Sequence, residues 1–79
     1  METEFYTVIE EQMNNGTASV LSTVYQEAEG EKPAEDRALS KYFTVLSYAA
    51  LSDIEYHAAY IIRSDGEVIG KEIFDRRTN

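Results

Sequence analysis

The chain has 79 residues, fifteen acidic against seven basic side chains for a formal net charge of −8, no cysteine, and 43% hydrophobic residues. That length holds one domain, because separate cores normally need roughly 100 residues each, and the aliphatic and aromatic content is too high for a disordered acidic tail. The lack of cysteine excludes a disulfide scaffold, a thiol enzyme and a cysteine-ligated zinc module, while the acid excess would repel a phosphate backbone, so no direct nucleic-acid binding is expected.

The first segment, Glu4 to Met13, mixes aromatic and β-branched residues and reads as a strand. A second such run, Thr17 to Tyr25, follows Asn14-Asn15-Gly16. Asn-Gly between two strand-like runs signals a hairpin, and this turn reading also accounts for the Asn15-Gly16-Thr17 triplet without glycosylation. A two-residue turn would set Ile9 opposite Ser22. A three-residue turn with Gly16 left-handed would set Ile9 opposite Leu21 and Phe5 opposite Tyr25. Matching large apolar partners favours the second.

Residues 26–33 form an acidic loop that leads into a helix expected over residues 34–51. Pro33 suits the first helical position, and Glu35 and Asp36 complement the positive end of the helix dipole. Leu39, Tyr42, Phe43, Leu46, Ala49 and Ala50 then recur at helical spacing as one face, widened by Ala38 and Val45. Ser52-Asp53 breaks the pattern. A second hairpin is expected over residues 55–75, turning at Ser64-Asp65-Gly66, with Arg63 facing Glu67, Ile61 facing Ile69 and Tyr56 facing Phe74. Residues 76–79 read as a frayed polar tail. The whole is a single α+β domain in the order β-β-α-β-β, one helix packed on a four-stranded antiparallel sheet; strand order is not readable.

No apolar run approaches the roughly 20 residues of a membrane span, and Met1 to Tyr6 lacks the basic-then-apolar opening of a signal peptide. A cytoplasmic location without a membrane partner is therefore expected. Charge is uneven: residues 1–55 hold eleven acids and three bases (Lys32, Arg37, Lys41), and residues 56–79 hold four of each.

The strands carry adjacent apolar pairs: Phe5-Tyr6, Val8-Ile9, Val20-Leu21, Val24-Tyr25, Ile61-Ile62, Val68-Ile69 and Ile73-Phe74. Neighbours on a strand point to opposite faces, and one helix covers one face. The other face calls for a partner, and a second copy, packed face on face or along a shared sheet edge, supplies one. A homodimer is expected.

Few residues suggest chemistry. His57 is the only histidine, so no two-histidine metal site forms within one chain; in a dimer two copies of it could meet as a pH-sensitive contact. Glu10 and Glu11 fall on opposite strand faces and cannot pair. Glu27, Glu29 and Glu31 lack the Asp/Asn ladder of a calcium loop and read as a solvated acidic run that could meet a basic partner. Tyr6, Tyr25, Tyr56 and Tyr60 suit an interface, where an apolar ring with one polar tip is useful. No cofactor, metal or catalytic residue is expected.

Phe5-Tyr6-Thr7-Val8-Ile9-Glu10-Glu11, the helix run from Lys41 to Ala50 (KYFTVLSYAA) and Tyr56-His57-Ala58-Ala59 carry a resemblance over nearly the whole chain. The chain resembles a group of short proteins from Gram-positive gut anaerobes, often encoded among phage or mobile-element genes, with no assigned activity. Members of that group often carry His at the position of Phe43, and this chain's Phe43 leaves His57 without such a companion. In a mobile-element setting, the acidic residues 1–55 favour a small, dimeric, non-enzymatic interaction protein that blocks a nucleic-acid-handling or defence protein. The alternative is a small-molecule binding or sequestering protein with a tyrosine-lined pocket at the dimer interface.

Overall fold

A computed structural model describes residues 4–77. Strands β1 (Phe5–Asn14) and β2 (Thr17–Gln26), helix α1 (Ala34–Ala49), and strands β3 (Tyr56–Arg63) and β4 (Val68–Asp75) follow one another. They form an antiparallel sheet in the order β2-β1-β3-β4 with the helix on one face. The expected α+β architecture is the one found.

The first hairpin departs from the expected register. Asn14 pairs with Thr17 and Ile9 with Ser22 across a two-residue turn. Both turn residues are left-handed, Asn15 at φ 54° and Gly16 at φ 79°. This is the turn whose twist matches that of the flanking strands, and Asn-Gly adopts it readily. Turn chemistry thus overrides the matching of Ile9 with Leu21, and Tyr25 sits opposite Tyr6 rather than Phe5.

The second hairpin starts as expected: the Arg63 N–H donates to the Glu67 carbonyl at 2.9 Å, and Ile62 pairs with Val68. A bulge then shifts the register, so Ile61 faces Gly70 and Tyr56 faces Asp75. The extra residue, Ile69, packs against the core, and Gly70 is brought beneath the helix. A methyl group at Gly70 would lie 3.2 Å from both the Tyr42 ring and the Ile61 side chain. The bulge and the bare glycine together make room for Tyr42.

The helix is rotated from its expected face. Ala34, Ala38, Tyr42, Val45 and Ala49 are buried, Leu39 and Leu46 flank them, and Phe43 is 59% exposed. Three alanines let the helix backbone lie close to the sheet while Tyr42 and Val45 reach into it. Counting large side chains alone put Phe43 on the wrong side. Pro33 precedes the helix as its N-cap, with ψ 144°, instead of opening it. It leaves the Ala34 N–H to be capped by the Glu27 carboxylate at 2.8 Å, a favourable charge at the positive helix end.

The helix ends at Ala49, with no basic residue in its last turn. The cation comes from beyond β4: Arg76 Nη2 donates to the Ala49 carbonyl at 2.9 Å and the Ala50 carbonyl at 3.1 Å. Arg77 clasps Asp75 in a bidentate pair. Arg76 and Arg77 are therefore anchored and not frayed; Thr78 and Asn79 lie outside the described residues. The core consists of Tyr6, Val8, Ala34, Ala38, Tyr42, Val45, Ala59 and Ile61.

Candidate functional site

Strand alternation assigns the two faces of the sheet. Tyr6, Val8, Glu10 and Gln12 of β1, with His57, Ala59, Ile61 and Arg63 of β3, lie on the helix side. Phe5, Thr7, Ile9, Glu11 and Met13 lie on the other. That open face continues through Val20 and Val24 on β2, Tyr60 and Ile62 on β3, and Val68 and Ile73 on β4. Val20, Val24, Val68 and Ile73 are between 45% and 60% exposed. The paired apolar residues of the strands thus divide between the helix side and the open face, and Leu21, on the helix side of the β2 edge, is itself 63% exposed.

Charge on the open face cancels. The charged residues described there are Glu11, Lys71, Asp75 and Arg77, two of each sign. Tyr60 donates its hydroxyl to Glu11 Oε1 at 2.9 Å; its pKa is pushed up by the neighbouring Tyr56 hydroxyl, by burial and by Glu11. Arg77 lies over the Tyr56 ring, 5.0 Å from its centroid, and its bidentate bond holds Asp75 down to about 2. Met13, Ala18, Tyr56 and Arg77 line a cleft of about 330 Å³ at one end of this face.

Beneath the sheet on the helix side lies a cluster that the sequence reading passed over. Glu10 is 5% exposed and His57 2%. His57 Nε2 and Glu10 Oε2 are 2.6 Å apart, so the ring donates through Nε2 to the carboxylate. Gln12 Nε2 donates to the same oxygen at 2.7 Å, and the Tyr48 hydroxyl donates to Glu10 Oε1 at 2.7 Å. His57 Nδ1 is buried without a hydrogen-bond partner among the described residues. Burial alone would raise the Glu10 pKa, but the bonds from Tyr48, His57 and Gln12 outweigh it and hold the carboxyl below its ordinary value. Burial and the adjacent Glu10 push the Tyr48 hydroxyl up to about 12. Histidine on a carboxylate can serve as a general base, yet both partners are sealed from solvent here, and the cluster fastens the helix to the sheet.

The expected site residues do not converge. Tyr6 is buried on the helix side, its hydroxyl 3.4 Å from Glu35, and Tyr25 lies beside it under Arg37. Tyr56 and Tyr60 lie on the opposite face, so these four tyrosines line no common pocket. His57 is enclosed between the helix and the sheet and is 2% exposed. Glu27 is engaged as a helix cap, whereas Glu29 and Glu31 are exposed in the acidic loop. Among the described residues no three His, Asp or Glu side chains converge as metal ligands, and no helix is long and apolar enough to cross a membrane.

No family model, curated protein or solved structure matches the chain. The missed residues, Glu10 and Gln12, did leave a signal: they continue, at period two, the row of Tyr6 and Val8 that faces the helix. A buried carboxylate in that row requires hydrogen-bond partners, and the buried His57, the half-buried Gln12 and the more exposed Tyr48 are those partners.

Proposed function

We propose that the chain is a non-enzymatic interaction protein that works as a homodimer, its open sheet faces packed together and its acidic loop and helix side turned outward to a basic protein partner. One observation carries this reading: in a chain of net charge −8, the open sheet face is both apolar and neutral. Two copies repel each other through most orientations, and a neutral face lets them approach without that penalty. Four strands of eight to ten residues make a patch of roughly 30 by 19 Å in projection. That projection, roughly 570 Å², approaches the ~800 Å² per partner of a standard interface. An acidic dimer suits a partner whose groove normally holds nucleic acid, and the resemblance to mobile-element proteins fits inhibition of such a protein.

Ile73 is 45% exposed on β4 and far from the helix contact. Ile73→Lys is expected to halve the mass of the assembly in light scattering while leaving the circular dichroism spectrum unchanged, because face packing would bury an unpaired ammonium. An unchanged mass would remove the open face from the interface.

A further inference from the structure

The two edges of the sheet are built differently. β4 carries Lys71, Glu72 and Asp75 and is interrupted by the bulge at Ile69 and Gly70. Charges and bulges on an edge are the usual protections against pairing with another chain. β2 has neither: TASVLSTVYQ contains no charged residue, no proline and no glycine, and its register with β1 runs unbroken from Thr17 to Gln26. Nine of its ten residues are exposed, among them Leu21 at 63% and Val20 at 60%.

The hydrogen-bond phase shows which backbone groups are free. A two-residue turn makes Asn14 and Thr17 a bonded pair, and bonding then alternates along the hairpin. The Ser64 N–H donating to the Phe5 carbonyl and the Arg63 N–H donating to the Glu67 carbonyl fit the same phase across β1 and β3. Ala18, Val20, Ser22 and Val24 therefore point their N–H and C=O groups away from β1, into an edge with no neighbouring strand among the described residues.

We propose that β2 pairs antiparallel with β2 of a second copy, joining two four-stranded sheets into one of eight strands. Centred on Ser22, this pairing sets Val20 of each copy against Val24 of the other and Ala18 against Gln26, whose carbonyl also accepts from Arg37 Nη2. Charge selects a second copy as occupant. The acidic loop begins just after β2, whereas residues 12–26 contain no charge at all. Antiparallel pairing lays each acidic loop beside the uncharged turn of the other copy. The two loops then sit about 30 Å apart, several Debye lengths at physiological salt. The proposal deepens the self-association reading by adding a second, independent interface. Its two-fold axis is perpendicular to the sheet, and the axis of open-face packing lies in the plane between the sheets, so where the two axes intersect both interfaces together close at four chains.

Hydrogen exchange read with light scattering tests it. The amides of Ala18, Val20, Ser22 and Val24 are expected to be protected in a concentration-dependent way. Ser22→Pro removes no bond to β1, because that N–H points outward; it is expected to abolish the protection at Ala18, Val20 and Val24 and halve the assembled mass. Thr23→Lys, which leaves the backbone intact and projects from the helix side of the sheet opposite Val8, is expected to do the same by placing a charge on the edge. Ile73→Lys is expected to leave the protection in place. Unprotected amides in an associated wild type, or an unchanged mass in both Ser22→Pro and Thr23→Lys, would overturn the β2 seam. Should Ile73→Lys alone halve the mass, the open-face dimer stands and the seam falls; should the two β2 variants alone do so, the seam stands and the open-face contact falls.

Discussion

Glu10→Ala is expected to lower the unfolding free energy by about 2–4 kcal/mol, because it leaves the buried His57 ring without its acceptor and takes a charged acceptor from two further donors. His57 Nε2, the Tyr48 hydroxyl and Gln12 Nε2 all donate to this one carboxylate. Without it the buried ring loses its partner on the only nitrogen that has one, and Tyr48 loses its tie to the sheet. Urea titration followed by circular dichroism measures the loss. A change below about 1 kcal/mol, the range of a typical surface substitution, would mean that the cluster is open to water. The same cluster sets an acid limit. The Glu10 carboxyl titrates below its ordinary value of 4.5 in the folded chain, so the unfolded chain binds the proton first as pH falls. Its contribution is fully present above the unfolded pKa and is lost as pH drops through the folded one. The stability difference between wild type and Glu10→Ala is therefore expected to narrow below about pH 4.5.

Tyr42→Ala is expected to cost about 3–5 kcal/mol, the range for deleting a buried aromatic ring. Tyr42 is 6% exposed at the centre of the helix stripe, and its ring occupies the space that Gly70 leaves open. Truncation leaves a cavity between helix and sheet that the alanines at positions 38 and 49 are too small to fill. Phe43→Ala is the control: the adjacent ring is 59% exposed, so its loss is expected to cost far less. Equal losses in the two variants would mean that the helix rests on the face its large residues suggest.

That contrast marks how far the sequence could be read. Element order and boundaries followed from Asn-Gly, Asp-Gly and Pro punctuation and from helical spacing, all local signals. The helix rotation did not, because spacing weighs large side chains while packing here depends on how closely Ala34, Ala38 and Ala49 let the backbones approach. The first register failed for a similar reason: pairing Ile9 with Leu21 is a weak preference, and the left-handed Asn15-Gly16 turn is a stronger one. The bulge at Ile69 answers a non-local demand, room for Tyr42, that no window of sequence contains. The Arg76 cap joins residues 26 and 27 positions apart, so a polar ending looked idle. At the candidate surface, the apolar open face was legible from adjacent hydrophobic pairs. The distinction between a bare β2 edge and a protected β4 edge was not, since it depends on strand order.

The central claim is that this chain works by contact and is incomplete alone. The most direct test is light scattering of the wild-type protein over a concentration series from about one to a hundred micromolar, with circular dichroism recorded on the same samples. A folded species of at least twice the 9.0 kDa chain mass is expected, dissociating on dilution or in the interface variants. A folded 9.0 kDa monomer across the whole series would contradict it.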